Sequence, residues 1–133
     1  MFAKKRKMRT NFPSGAPWED VVGYSRAVRM GKFLEVSGTV AANGHGAVGK
    51  GDAHAQTHFI LEKIKGVLEQ AGFKLSDVIR TRIYTTDISN WQEIGRAHGA
   101  FFADIKPATS MLEVKALIHP DYLVEIEVSA MKE

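Results

Sequence analysis

Between Asp52 and Phe73 the sequence supplies both ends of a helix and the apolar stripe that would bury it. Ile60, Ile64, Val67, Leu68 and Ala71 recur at the three- and four-residue spacing of one helix face. Asp52 is a residue type whose carboxylate accepts the orphan N–H groups of a first turn. Gly72 follows the last apolar position and can take the left-handed conformation, with Phe73 behind it as the apolar contact that closes such an end. The spacing predicts an amphipathic helix over 53–71. A helix with one apolar stripe must lie on something, so the rest of the chain has to supply a second layer.

That layer reads as a sheet. YSRAVRM (24–30) and FLEVSGTVA (33–41) are strand-like runs separated by Gly31-Lys32, the Gly-X signal of a type II′ hairpin. Residues 43–51 hold four glycines and form a loop; Gly44, Gly46, Gly49 and Gly51 match no phosphate-binding fingerprint. VIRTRIYTT (78–86) is rich in β-branched residues and reads as a strand. Ser89 with Gln92 is a capping-box pattern for a second helix over 90–102, with Trp91, Ile94, His98 and Phe102 on one face. Pro107 closes that connection. Two alternating runs end the chain. Leu112, Val114 and Ala116 oppose Met111, Glu113 and Lys115; Val124, Ile126, Val128 and Ala130 oppose Glu125, Glu127 and Ser129. The expected order is β-β-α-β-α-β-β, an α+β fold with a single-layer mixed sheet covered by two helices. If the last two strands are neighbours, Glu113, Lys115, Glu125 and Glu127 share one face, and Lys115 can pair with Glu125.

A chain of 133 residues is expected to be one domain, 1–133. It contains no cysteine, which excludes disulfides and thiolate metal sites. No apolar run approaches membrane-spanning length, and the opening MFAKKRKMRT lacks the apolar core of a secretory signal, so a cytoplasmic location is expected. The net charge of +3 is local: Lys4, Lys5, Arg6, Lys7 and Arg9 cluster at the start. Residues 1–12 are expected to be a flexible basic tail, and 11–20 an irregular lead-in. The cluster is short and without interleaved aromatics, which argues against nucleic acid as a partner.

The pattern resembles the RidA (YjgF) family. The resemblance rests on Gly23-Tyr24-Ser25-Arg26-Ala27-Val28, Gly31, Val36-Ser37-Gly38-Thr39, Gln56-Thr57, Ala71-Gly72, Asp77-Val78, Phe101-Phe102, Pro107-Ala108, Glu113-Val114 and Val124-Glu125-Ile126-Glu127 before Ala130. It implies a chorismate-mutase-like fold, a homotrimer with small-molecule clefts between subunits, and hydrolysis of reactive imines and enamines without a cofactor. In such proteins the arginine of a Pro-Ala-Arg-Ser motif grips the substrate carboxylate, and a glutamate of the last strand places the attacking water. Here the motif reads Pro107-Ala108-Thr109-Ser110, and Met111 follows where cysteine is common. A threonine hydroxyl cannot form a bidentate clamp on a carboxylate. The implied substrate is therefore something other than the usual amino-acid imines.

The resemblance assigns Glu125 to catalysis, with a structural partnership to Lys115 as the other reading. Tyr24, Ser37, Gly38, Thr39, Thr109 and Met111 are the implied substrate-binding set. Arg26 could bring positive charge to the cleft or be a surface arginine. His98, on an apolar stripe, reads first as a satisfied core residue and second as an acid–base group. His54 and His58 have metal-ligand spacing but lack a third ligand, so no metal site is expected. Three functions stand at this point: a cofactor-independent hydrolase acting on an imine, enamine or related electrophile; a non-catalytic trimer that binds or senses a metabolite; and RNA binding or cleavage, which the family resemblance also implies but for which the basic tail is the only local support.

Overall fold

The computed structural model describes residues 8–133. One sheet of six strands runs through it in the order β1-β2-β3-β6-β4-β5. The strands are β1 (Arg9–Phe12), β2 (Ala27–Met30), β3 (Phe33–Val40), β4 (Val78–Thr85), β5 (Ala108–Glu113) and β6 (Val124–Met131). The helices are α1 (Pro17–Val22), α2 (Ala53–Gln70) and α3 (Trp91–Phe102). All strand pairs are antiparallel except β4–β5, which is parallel and bridged by α3. The sheet is mixed, as expected.

The ends of α2 are the ones its sequence dictates. The Asp52 carboxylate accepts from the Ala55 N–H at 3.0 Å. At the other end Gly72 has φ 85°, its N–H donates to Glu69 O, and the Phe73 N–H donates to Leu68 O at 2.8 Å. That is the paired closure of a Schellman motif. Ile60, Leu61, Ile64 and Leu68 are fully buried, against a sheet face made by Leu34, Val36, Ile83, Val124, Ile126 and Val128. Each such side chain contributes about 1.5–3 kcal/mol by leaving water. Gln56, also fully buried, has a polar task on the same helix. Its amide donates to Asp121 O and accepts from the Leu123 N–H, both at 2.8 Å, which ties the 119–123 turn to α2.

The β2–β3 hairpin turns at Gly31 and Lys32, and only the glycine has positive φ, as a type II′ turn requires. Several expectations need correction. Arg9–Phe12, expected within the flexible tail, form an edge strand on β2; residues 1–7 of that tail lie outside the described residues. The lead-in contains α1, started by Pro17 at its first turn. β2 begins at Ala27, so Tyr24 and Arg26 precede the strand. Ser89 and Gln92 form no capping box: Asp87 accepts from Ser89 N–H in a 3-10 turn, and α3 follows that turn directly. Trp91 is exposed and does not join the stripe of Ile94 and Phe102.

The largest departure concerns β5. It pairs with β4, and β4 stands between it and β6, so the last two strands are not neighbours. Parallel pairing sets Thr109 beside Thr81 and Met111 beside Ile83, both partners buried under the helices. Met111 therefore packs on the core, while Leu112, expected to point inward, is 55% exposed. β5 stops at Glu113, which leaves Lys115 beyond the strand and two strands from Glu125. Among the described residues no ion pair joins them. None of the described helices is long and apolar enough to cross a membrane.

Candidate functional site

Two polar clusters flank the sheet. Glu125 alternates with buried Val124 and Ile126, so it lies on the face that the helices leave uncovered. It stands opposite Val40 on β3 and Tyr84 on β4. The register of β3 slips between Val36 and Thr39, and this irregularity places Gly38 under the Glu125 carboxylate. A Cβ on Gly38 would come within 2.7 Å of Glu125 Oε2, so only glycine leaves the carboxylate its seat.

Arg26 completes this cluster. One guanidinium nitrogen donates to Gly38 O at 2.6 Å, and its buried Nε has no hydrogen-bond partner. Arg26 is half-buried, which corrects the reading of it as a surface arginine. Burial pulls its pKa down, opposed by Tyr24, Glu19 and Glu125. Burial pushes the Glu125 carboxyl above the ordinary carboxylate range; Glu127 adds to this, and Arg26 works against it. Glu127 is engaged by the Tyr84 hydroxyl, which donates to it at 2.6 Å. That bond, together with burial, raises the Tyr84 pKa.

Ser37 belongs to the same neighbourhood. Its N–H donates to Arg26 O at 2.9 Å and its hydroxyl to Ser25 O at 2.6 Å. Tyr24 is exposed and, with Ser37, Asn11 and Arg9, lines a groove of about 500 Å³ between β1 and α1. Glu19, at the groove wall, is held below the ordinary carboxylate range by the Ser14 hydroxyl that donates to it. Thr39 is different: it is buried, and its hydroxyl donates to Ser37 O at 2.9 Å. A second groove of about 630 Å³, lined by Phe12, Arg29 and Gly72, lies away from this cluster.

The other cluster is on the helix-covered side. Thr109 Oγ1 lies 2.7 Å from Thr81 Oγ1, which lies 3.0 Å from His98 Nε2. Thr109 Oγ1 also lies within hydrogen-bond distance of Pro107 O, at 3.1 Å. Burial lowers the His98 pKa, so the ring is neutral at pH 7, and it stacks 4.7 Å from Phe102. Lys106, with φ 54°, is the one described non-glycine residue with positive φ, and it turns the chain from α3 into this segment. His58 rests 5.4 Å from Phe101 on the outer side of α2.

Within one chain the two clusters do not meet. β5 and β6 are two strands apart, about 10 Å. The register puts Glu125 level with Leu112, three residues along from Thr109, which adds about 10 Å more. They also face opposite sides of the sheet. Tyr24, Ser37, Gly38 and Glu125 thus form one group, and Thr109 and Met111 another. Sequence reasoning missed Thr81 and Tyr84, although the period-2 alternation of β4 carries a signal for both faces.

Comparison with known proteins fixes the family. Residues 16–132 match the family model described as Endoribonuclease L-PSP. The chain belongs to that family. It is 49% identical to Rv2704 of Mycobacterium tuberculosis, described as a member of the YjgF/YER057c/UK114 family; the structures superpose with a TM-score of 0.85 over 93% of this chain and 99% of that one. A RutC family protein of Pyrococcus horikoshii is 37% identical over 92% of this chain and 96% of its own length. The 3-aminoacrylate deaminase RutC of Acinetobacter baylyi is 33% identical over 86% and 90%. The resemblance read from residues 23–130 is borne out in family and fold.

Proposed function

We propose that this chain forms a homotrimer whose intersubunit clefts bind a small metabolite and hydrolyse an imine, enamine or related electrophile. The observation that carries the reading is the Glu125 carboxylate, half-buried on Gly38 beside Arg26, with its pKa raised. A carboxyl displaced toward neutrality can both take and return a proton. Water adds to the protonated imine carbon as Glu125 accepts one of its protons. Glu125 returns that proton to the carbinolamine nitrogen, and as the C–N bond breaks and ammonia leaves, the carboxylate takes up the remaining hydroxyl proton, so that a carbonyl forms. Hydrolysis of this kind uses water alone and needs no cofactor. Similarity to a 3-aminoacrylate deaminase supports the reaction class.

Trimerisation is supported by the separation of the two clusters. The uncovered face bearing Arg80, Arg82, Tyr84 and Glu127 is polar and half-buried already, a surface suited to a second copy. In the cleft so formed, Tyr24, Ser37 and Glu125 of one subunit meet Thr109 and Met111 of its neighbour. Sedimentation equilibrium at micromolar concentration should give three chains; a monomer overturns the cleft. Glu125→Gln should lower ammonia release from in situ generated imines by about 10²–10⁴-fold while ligand binding survives. Absence of turnover in wild type, with thermal stabilisation by a metabolite, would instead identify a binding trimer.

A further inference from the structure

The Thr109–Thr81–His98 chain determines what kind of group can dock at the exposed end of β5. Thr81 is fully buried, so its hydroxyl has only its two neighbours to bond. A hydroxyl carries one proton and two lone pairs. If His98 carries its proton on Nε2, it donates to Thr81, Thr81 donates to Thr109, and Thr109 donates to Pro107 O. If the proton is on Nδ1, the order reverses: Thr109 donates to Thr81, and Thr81 donates to Nε2. In both arrangements the single proton of Thr109 is consumed inside the protein, and its remaining capacity is lone pairs only, one in the first arrangement and two in the second. His98, neutral at pH 7, lends no positive charge to the chain.

We infer that Thr109 is an acceptor-only subsite, selecting ligands that present a neutral N–H or O–H donor, such as a primary amide, where a carboxylate would find no donor. This deepens the cleft reading and rests on β5 lining that cleft. To bind a carboxylate, Thr109 would have to withdraw its proton from Pro107 O or Thr81. That forfeits one hydrogen bond for another and leaves an anion without a countercharge. An amide N–H meets the free lone pair with no rearrangement. Met111, next on the same face of β5, offers an apolar wall beside it.

Pyruvate and pyruvamide differ in one group, carboxylate against primary amide, and serve as paired probes. Their affinities are read by titrating the backbone amide signals of Thr109 and Ser110 in 15N-labelled protein. Wild type should bind pyruvamide roughly threefold to tenfold more tightly than pyruvate, the range of one neutral hydrogen bond. Thr109→Val, which keeps shape and removes the lone pair, should erase that preference. Thr109→Arg should invert it. Should Thr109→Val destabilise the fold, Thr109→Ser offers a second arm: it keeps the hydroxyl and should keep the preference. A wild-type preference for pyruvate, or an amide preference that survives Thr109→Val, overturns the inference. So does the absence of any response at these two signals at tens of millimolar probe. None of these outcomes touches the assembly and Glu125 tests, so the two readings can fail separately.

Discussion

The two faces of this sheet treat their polar groups differently. Under the helices, Thr81, Thr109 and His98 are neutral, and each can be satisfied by the next. On the uncovered face, Glu125 has its pKa raised by burial, and Arg26 keeps a buried Nε without a partner. A closed chain of hydroxyls stabilises and orients; it holds no spare charge. An incompletely satisfied carboxylate and guanidinium store interaction capacity that a ligand or water can complete. Under the function proposed above, selectivity would belong to one face and proton transfer to the other.

Gly38→Ala should break the contrast most strongly. The added Cβ would displace the Glu125 carboxylate, and a shift of about 1 Å in a reacting group can cost about 10²-fold in rate. Part of the strain can relax through the glutamate side chain, so the stability loss should be about 1 kcal/mol. Parallel steady-state kinetics and urea unfolding separate the two effects. A variant that loses stability and keeps its turnover would make the uncovered cluster a structural feature like the other.

Thr81→Val should act in the opposite sense. It removes the middle of the hydroxyl chain, which leaves the half-buried His98 Nε2 without its partner and Thr109 with Pro107 O alone. The expected cost is about 1–3 kcal/mol of stability. A denaturant midpoint unchanged from wild type would show that the chain contributes nothing to folding.

The smallest expected effect is a pH dependence of stability. The folded-state pKa of His98 is lowered by burial, so the unfolded chain binds a proton more readily. Stability is full above the unfolded value of about 6.5 and falls as pH drops from there toward the folded pKa. His98→Gln should flatten this segment of the midpoint-against-pH curve. If the slope persists in the variant, another group carries it.

The sequence by itself determined the elements whose signals are local. α2 was legible from its stripe, Asp52 and Gly72, because helix period and both caps are written within 22 consecutive residues. The β2–β3 turn was legible from Gly31, and the two faces of β6 from strict alternation. Only the tertiary structure decided which strands are neighbours. Nothing local states that β6 inserts between β3 and β4, or that β5 pairs in parallel at the edge. That choice reversed the buried face of β5, exposed Leu112, turned Thr109 toward His98 and removed Lys115 from Glu125. Alternation says that two sets of side chains point apart; which set meets the helices depends on the partner strand and its register. Arg26 and Gly38 were visible as residues. Their closeness to Glu125 comes from the slip in β3 that seats the carboxylate, a contact between positions some ninety residues apart.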